Sequence, residues 1–484
     1  MKSKLLLLLF CITAFSAIAK PIIIKGKING KLPKDLYYTA PVNGALGFNL
    51  YYTAKVDVQG NFEIKADLNE TTFIDIYYNY LPAGALIVTP GSSYNLVINE
   101  ADGKVAHVIT GPNAEIQKWY TTVVDDHRES VFINLAMKLA KLETPSAITE
   151  EAKTLESADV AAITKLYESK VISKELYITL LKERSYLYAA SIGYAILVKH
   201  IYAERDPANP DISEFDLLWK TNYITHSPAD PLVSKSPWGT YFLDGYKNYK
   251  LYELVGFDGK KISQIGELEV MKRNKTFLTE PNAEYYSAVN LFFSTFGDKK
   301  DKVVIQQLAY FKEQYPKSGY TKYLQPRIDV VADFYKNNTN LPEGAAYVED
   351  YANINTFDDL LKKFPGKKLY FDVWATWCSP CRAEFKYKEE LYKLLKANNI
   401  EVVYISLDRD DKEETWKKMI SHYELLGYHL RANKALDEDL NKKLSVNGIP
   451  RYILTNNGKI VSKHAPPPSE MDKLKKEISK AIAY

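Results

Sequence analysis

Hydrophobic positions change their spacing twice along this chain. Between Pro21 and about Ile109, apolar residues come in short runs or alternate with polar ones, as in Ile22-Ile23-Ile24, Leu50-Tyr51-Tyr52, Val56 to Ile64 and Leu86-Ile87-Val88. Turn residues separate these runs at Asn29-Gly30, around Gly60 and at Pro90-Gly91. Period-two alternation with such punctuation predicts strands, and the pattern on either side of Gly60 predicts a hairpin. An antiparallel β-sandwich or barrel is expected over residues 20–110. Beyond Gly111-Pro112 the spacing turns helical, in Val160 to Tyr167, Lys174 to Val198, Ala283 to Phe296 and Lys302 to Tyr315. This predicts an α-helical region over residues 111–340, in one piece or two. The stretch from Asp206 to Trp238, rich in Pro, Asp and Ser, is expected to be a long connection or a surface excursion. Polar residues with Pro342 and Gly344 place a linker between Asn337 and Gly344.

The last region, residues 345–484, alternates between the two periods. A strand at Lys368 to Val373 leads into a helix from Pro380 to about Asn398. A near-continuous apolar run, Ile400 to Leu407, reads as a strand buried in a parallel sheet. Helices are expected near Asp411 to Leu426 and Leu436 to Leu444. Asn456-Asn457-Gly458 is a strong hairpin turn between strands Arg451 to Thr455 and Lys459 to Val461. A final helix runs from Ser469, expected as its cap, to Ile482.

Charge and length narrow the function. Lys+Arg 63 against Asp+Glu 60 leaves no broad basic field, so nucleic-acid binding is not expected. At 484 residues the chain should form several domains. Residues 1–19 read as a cleaved secretory leader: Lys2 and Lys4, an apolar run from Leu5 to Ile18, and the small-residue site Ala17-Ile18-Ala19. Cys11 falls inside that run, so two of the 3 cysteines remain, Cys378 and Cys381. Export places them in a disulfide-permissive compartment, the periplasm or cell envelope. A bridge closing so small a loop constrains little of the unfolded chain, so the pair reads as chemical rather than structural.

Cys378 falls where a strand ends and a helix begins, facing unpaired backbone N–H groups and the positive end of the helix dipole, which favours its thiolate. Cys381, one turn on, lies on the same face and can resolve a mixed disulfide. Ser379-Pro380 between them adds no charge and no His, which favours a reductant or neutral exchanger over a dithiol oxidase. Pro450, opening a strand after Gly448-Ile449, is a candidate cis peptide whose backbone could pair with an extended client segment.

Trp374-Ala375-Thr376-Trp377-Cys378-Ser379-Pro380-Cys381-Arg382-Ala383-Glu384, with Gly448-Ile449-Pro450 about 70 residues later, resembles the exported TlpA-like and ResA-like thiol-disulfide oxidoreductases. The element order around it is that of a thioredoxin fold. Val56-Asp57-Val58-Gln59-Gly60-Asn61-Phe62 and Thr89-Pro90-Gly91 resemble, more weakly, the β-rich domain often found ahead of thioredoxin-like domains in exported bacterial proteins. By position, the resemblance implies that Asp372 is the buried acid that accepts a proton from the second cysteine, and that Glu384 is the glutamate near the cysteines in ResA-like proteins, each carboxylate a catalytic candidate able to exchange protons with Cys381. Each has a structural alternative: a hydrogen-bonding acid at a strand end, and a solvated first-turn residue. Where thioredoxin has a lysine facing the buried acid, this chain has Tyr404. Trp377 is either a packing residue or a cover for the sulfurs, and with Ile449 and Pro450 it completes the client-binding candidates.

The expected function is an exported thiol-disulfide oxidoreductase serving exported client proteins with disulfides, re-reduced by a membrane or periplasmic thiol reductant. The helical region offers a surface for a possible homo-oligomer. The alternative is an envelope binding or scaffolding protein with an auxiliary redox pair. No cofactor is expected. A zinc site would need two more Cys or His ligands, and His422, His429 and His464 lack ligand spacing.

Overall fold

The computed structural model describes residues 20–124, 128–206, 208, 210–337 and 340–482. The expected leader, residues 1–19, lies outside them, as do Asn338 and Thr339 of the expected linker. The chain divides into two compact units, Met1–Val289 and Asn290–Tyr484.

The first unit opens with eight strands: β1 (Lys20–Asn29), β2 (Asp35–Thr39), β3 (Tyr51–Lys55), β4 (Asn61–Leu68), β5 (Thr72–Tyr78), β6 (Leu81–Val88), β7 (Ser93–Ala101) and β8 (Lys104–Thr110). They form two four-stranded sheets, ordered β4-β1-β7-β8 and β3-β2-β5-β6. Alternate residues of both sheets, among them Ile22, Ile24, Leu96 and Ile98 from one and Ile74, Ile76, Leu86 and Val88 from the other, fill one shared core. The sheets are not wholly antiparallel as expected, because β1 pairs parallel with β7. The hairpin expected at Gly60 is also different. Asp57 accepts the N–H groups of Gln59 and Asn61, and Gly60 has φ of 85°, so the chain does reverse tightly. Beyond the single bridge Val56↔Phe62, however, β3 pairs with β2 and β4 with β1. Local turn chemistry fixes the reversal, whereas burial decides which sheet each strand joins.

Helices follow, the longest being Pro145–Glu168 and Lys174–Arg205. Helix Ala114–Val124 covers an open sheet edge: Gln117 donates to Ala85 C=O at 2.9 Å and accepts from Ile87 N–H at 2.8 Å on edge strand β6. Within Lys174–Arg205, consecutive Glu183 and Arg184 are both buried and paired, and Glu183 also accepts from Tyr120 and Trp238. The stretch from Asp206 to Trp238 is not a plain connection. It contains helix Glu214–Thr225, whose Phe215, Trp219 and Tyr223 are buried at helical spacing.

The second unit combines helices Val303–Gln314 and Thr321–Asn337 with a six-stranded mixed sheet. Its strands are β9 (Ala345–Tyr347), β10 (Lys368–Trp374), β11 (Ile400–Ser406), β12 (Gly427–Arg431), β13 (Arg451–Asn456) and β14 (Lys459–Ser462), ordered β14-β13-β10-β11-β12-β9. β9 and β12 are additions to the expected set. The helix expected from Pro380 is interrupted: Ser379–Glu384, a 3₁₀ turn Phe385–Tyr387, then Lys388–Ala397. Ser469 lies in a 3₁₀ turn, Pro468–Glu470, ahead of the last helix Met471–Ile482.

Strand β10 is central and buried on both faces. Leu369, Phe371 and Val373 join helices Phe357–Lys362 and Lys434–Leu444 in one core. Tyr370 and Trp374 point into the other, with both cysteines, Trp416, Met419 and Phe334. Phe334 comes from helix Thr321–Asn337 and meets the His422 ring edge-on at 5.3 Å. Phe334→Ala should therefore cost about 3–5 kcal/mol in this unit. Hydrogen exchange of the full chain should show faster exchange of the Lys368–Trp374 amides, and unchanged protection there would remove this helix from the core.

Candidate functional site

β10 delivers the chain to the cysteines, and three short contacts set the turn that follows. Leu407 N–H bonds to Trp374 C=O at 2.9 Å, ending the strand against β11. Cys378 N–H bonds to Ala375 C=O at 3.0 Å, closing the turn. Cys378 then stands at the N-cap of Ser379–Glu384, its Sγ accepting Cys381 N–H at 3.1 Å. Cys378 and Cys381 form a disulfide, and both are buried at 4% and 1% exposure. Ser379 and Pro380 between them are exposed, so the pair is approached from that edge.

The turn is clamped from two sides. Asp408, just past β11, accepts Thr376 N–H at 2.9 Å, Thr376 Oγ1–H at 2.6 Å and Ser406 Oγ–H at 2.7 Å. Burial raises its carboxyl above the usual range, and those hydrogen bonds offset only part of the rise. From the opposite side the buried Arg382 guanidinium donates to Thr376 C=O and to Gly297 C=O. The sequence reading missed both residues. Asp408 sits in Asp408-Arg409-Asp410-Asp411, which reads as a solvated charge run, and Arg382 follows Cys381 with no local pattern that marks it as a clamp.

Asp372 lies on the cysteine-facing side of β10, and only 2% of it is exposed. Sheet register places Tyr452 of β13 on one side of it and Tyr404 of β11 on the other. The row continues to His429 of β12, which stacks on Tyr404 at 5.0 Å between centroids. Tyr404 shares a hydrogen bond with Tyr392 at 2.9 Å. Asp372 Oδ1 and Tyr452 Oη find no hydrogen-bond partner among the described residues. Desolvation raises the Asp372 pKa well above the usual carboxylate range, and the Glu384 charge adds to the shift. Burial likewise raises Tyr452 and Tyr404, and lowers His429 to about 4. Glu384, at the end of the cysteine helix, accepts Ser469 N–H at 2.8 Å, so it bridges that helix to the C-terminal segment.

The other predicted residues fall around the same edge. The Ile449–Pro450 bond is cis. Arg451 pairs with Val373, which sets Pro450 level with Trp374 at the end of β10 where the chain turns to the cysteines. Ile449 is half-buried against both cores. Trp377 is 60% exposed, while Trp374 is fully buried and packs edge-on against Phe385 at 5.2 Å. Among the described residues no group of three or more His, Cys, Asp or Glu could hold a metal ion, and no helix is long and apolar enough to cross a membrane.

A sheet with a Cys-x-x-Cys pair at the strand-to-helix junction and a cis-proline beside it defines a thioredoxin-like redox domain, and residues 366–460 match the Thioredoxin-like family model. This C-terminal region resembles TlpA/ResA-like thioredoxin-fold proteins. It is similar to the thiol-disulfide oxidoreductase ResA of Bacillus thuringiensis subsp. konkukian (strain 97-27), at 31% identity over 104 residues, 21% of this chain and 56% of that protein. ResA of Bacillus subtilis (strain 168) is 29% identical over 104 residues, 21% and 54% of the two chains. The chain thus spans just over half the length of these relatives. Among solved structures, the thioredoxin domain of a thiol-disulfide oxidoreductase from Bacteroides vulgatus is 30% identical, covering 25% of this chain and 84% of that one, with a TM-score of 0.22.

The raised Asp372 pKa has a stability consequence. The folded chain keeps a proton that the unfolded chain releases above about pH 3.9, so stability is lost as pH rises from there toward the folded pKa. Asp372→Asn, measured in the disulfide form, should melt at the same temperature as the parent below about pH 4 and progressively higher above it. An advantage for the parent chain at neutral pH would contradict an unpartnered, proton-retaining carboxyl.

Proposed function

We propose that this protein is an exported thiol-disulfide oxidoreductase that reduces or exchanges disulfides in client proteins. The observation that carries the reading is the buried Cys378–Cys381 pair at a strand-to-helix junction, on the same sheet face as an unpartnered carboxyl. The ResA likeness of the same region supports it.

In the reduced form, the Cys378 thiolate attacks one sulfur of a client disulfide. A Cys378–client disulfide forms, and the other client sulfur leaves as a thiolate that takes up a proton. Cys381 then loses its proton and attacks Cys378 Sγ, releasing the second client thiol and leaving the Cys378–Cys381 disulfide. Two electrons and two protons pass from the dithiol to the client, and an external thiol reductant restores the pair. Asp372, in its ionised form, is the proton acceptor for Cys381. Its burial raises its proton affinity, which favours transfer of a proton to the carboxylate. Glu384 tunes Asp372 through its charge. Trp377, Ile449 and Pro450 line the edge where an extended client segment lies.

In this reading residues 1–19 are a cleaved leader and the protein works in the periplasm or cell envelope. The β-rich region 20–110, a sandwich, and the helical region 111–340 support access of clients to the redox domain 345–484, or self-association.

The full chain should reduce insulin with dithiothreitol as donor, and Cys378→Ser should abolish that turnover. Cys381→Ser should accumulate a mixed disulfide on Cys378 that reducing gels release. Turnover that survives Cys378→Ser would sink the assignment of the nucleophile, and a chain inert toward insulin would sink the activity.

A further inference from the structure

The Arg382 side chain leads out of the region that matches the family model. One arm of its guanidinium holds Thr376 C=O in the cysteine loop, and the other holds Gly297 C=O. Gly297 lies in the turn Phe296–Asp298, ahead of helix Val303–Gln314 and far in sequence from residues 366–460. Arg382 is 7% exposed, so this is a desolvated bridge rather than a surface contact that salt would screen.

The turn is held at both ends as well. On one side, Arg327 of helix Thr321–Asn337 donates to Thr295 Oγ1 at 2.7 Å, and Thr295 Oγ1–H donates to Phe292 C=O at 2.7 Å. The same guanidinium lies 4.4 Å and 4.9 Å from the Phe292 and Phe296 ring centroids. On the other side, Tyr335 donates to Lys300 C=O at 2.6 Å, and Lys412 pairs with Asp301 at 2.7 Å. Gly297 itself has φ of 63° and ψ of 33°, the left-handed region. A Cβ at Gly297 would lie 3.7 Å from Ser379 Oγ, and Ser379 is the exposed residue between the cysteines. The absent side chain therefore keeps open the space beside the redox pair.

We propose that the Phe296–Asp298 turn, anchored through Arg382, is a specificity wall of the redox site, kept low by Gly297 so that a disulfide carried on a polypeptide segment can reach Cys378. This rests on the redox reading above and adds a wall from outside the thioredoxin-like match. A small disulfide needs little room beside Ser379, whereas a disulfide on a chain brings flanking backbone past the turn. Bulk at position 297 thus discriminates between the two by steric exclusion.

The test compares full-length Gly297→Asn and Gly297→Ala with the parent chain. Asn tolerates the left-handed backbone better than Ala, and it projects further toward Ser379. Two rates are measured: kcat/KM for insulin reduction, and the rate constant for the reduced protein with 5,5′-dithiobis(2-nitrobenzoate). The ratio of insulin to small-disulfide rates should fall by about tenfold in Gly297→Asn, mainly through KM, and by about twofold or less in Gly297→Ala. A larger fall in Ala than in Asn would make the effect one of backbone strain and overturn the proposal. So would an unchanged ratio in Gly297→Asn. A parent chain that reacts with neither disulfide would instead overturn the redox reading itself.

Discussion

Strand β10 lies at the centre of its sheet with both faces covered, and this constraint governs the rest of the redox unit. In a strand successive side chains alternate between faces, so every residue from Leu369 to Trp374 is assigned to one of two cores. Five of these six side chains are apolar or aromatic and gain from burial. Asp372 does not, and no shift of register could expose it without exposing Tyr370 and Trp374 as well. The strand thus holds a carboxyl in a dry environment, between Tyr452 and Tyr404, at the cost of its ionised form.

The same strand ends in a turn whose backbone has no ladder to join. Its polar groups are satisfied instead by Asp408 and Arg382, which take opposite sides of Thr376. Asp408 is held by the C-terminal end of β11, and Arg382 by the helix that the cysteines begin. The loop is therefore fixed by the sheet below it and by the helix after it, and Cys378 is placed by backbone geometry. Arg382 extends the clamp to Gly297, so the Phe296–Asp298 turn is joined to the cysteine loop by this side chain.

What the sequence revealed follows from what repeats locally. The apolar runs at 368–373 and 400–407, the Asn457-Gly458 turn and the cysteine spacing depend on neighbours in the chain, and each stands close to where it was expected. β12 was missed because Gly427-Tyr428-His429-Leu430-Arg431 is short and mixed, and its His becomes a core residue only when Tyr404 stacks on it. Helix Glu214–Thr225 had a usable signal in Phe215, Trp219 and Tyr223, but the Pro and Asp residues around it dominated the composition. Asp408 and Arg382 carried no local signal at all. Their roles come from contacts 32 and 85 residues away in sequence, which no periodicity encodes.

Burial also bears on the direction of electron flow. A dithiol is oxidising when its thiolate form is strongly stabilised, and reducing when it is not. Among the described residues the backbone N–H of Cys381 donates to Cys378 Sγ, and uncharged Ser379 and Pro380 lie between the cysteines. The Arg382 guanidinium is the nearby cation on this helix, and it is spent on two carbonyls rather than aimed at sulfur. Asp372, kept toward its neutral form, neither repels the thiolate strongly nor stabilises it. A site that withholds charge from its nucleophile in this way leaves the disulfide the more stable partner. Under the redox reading proposed above, that balance would suit a donor of electrons, and it rests on the same buried strand that fixes the cysteines in place.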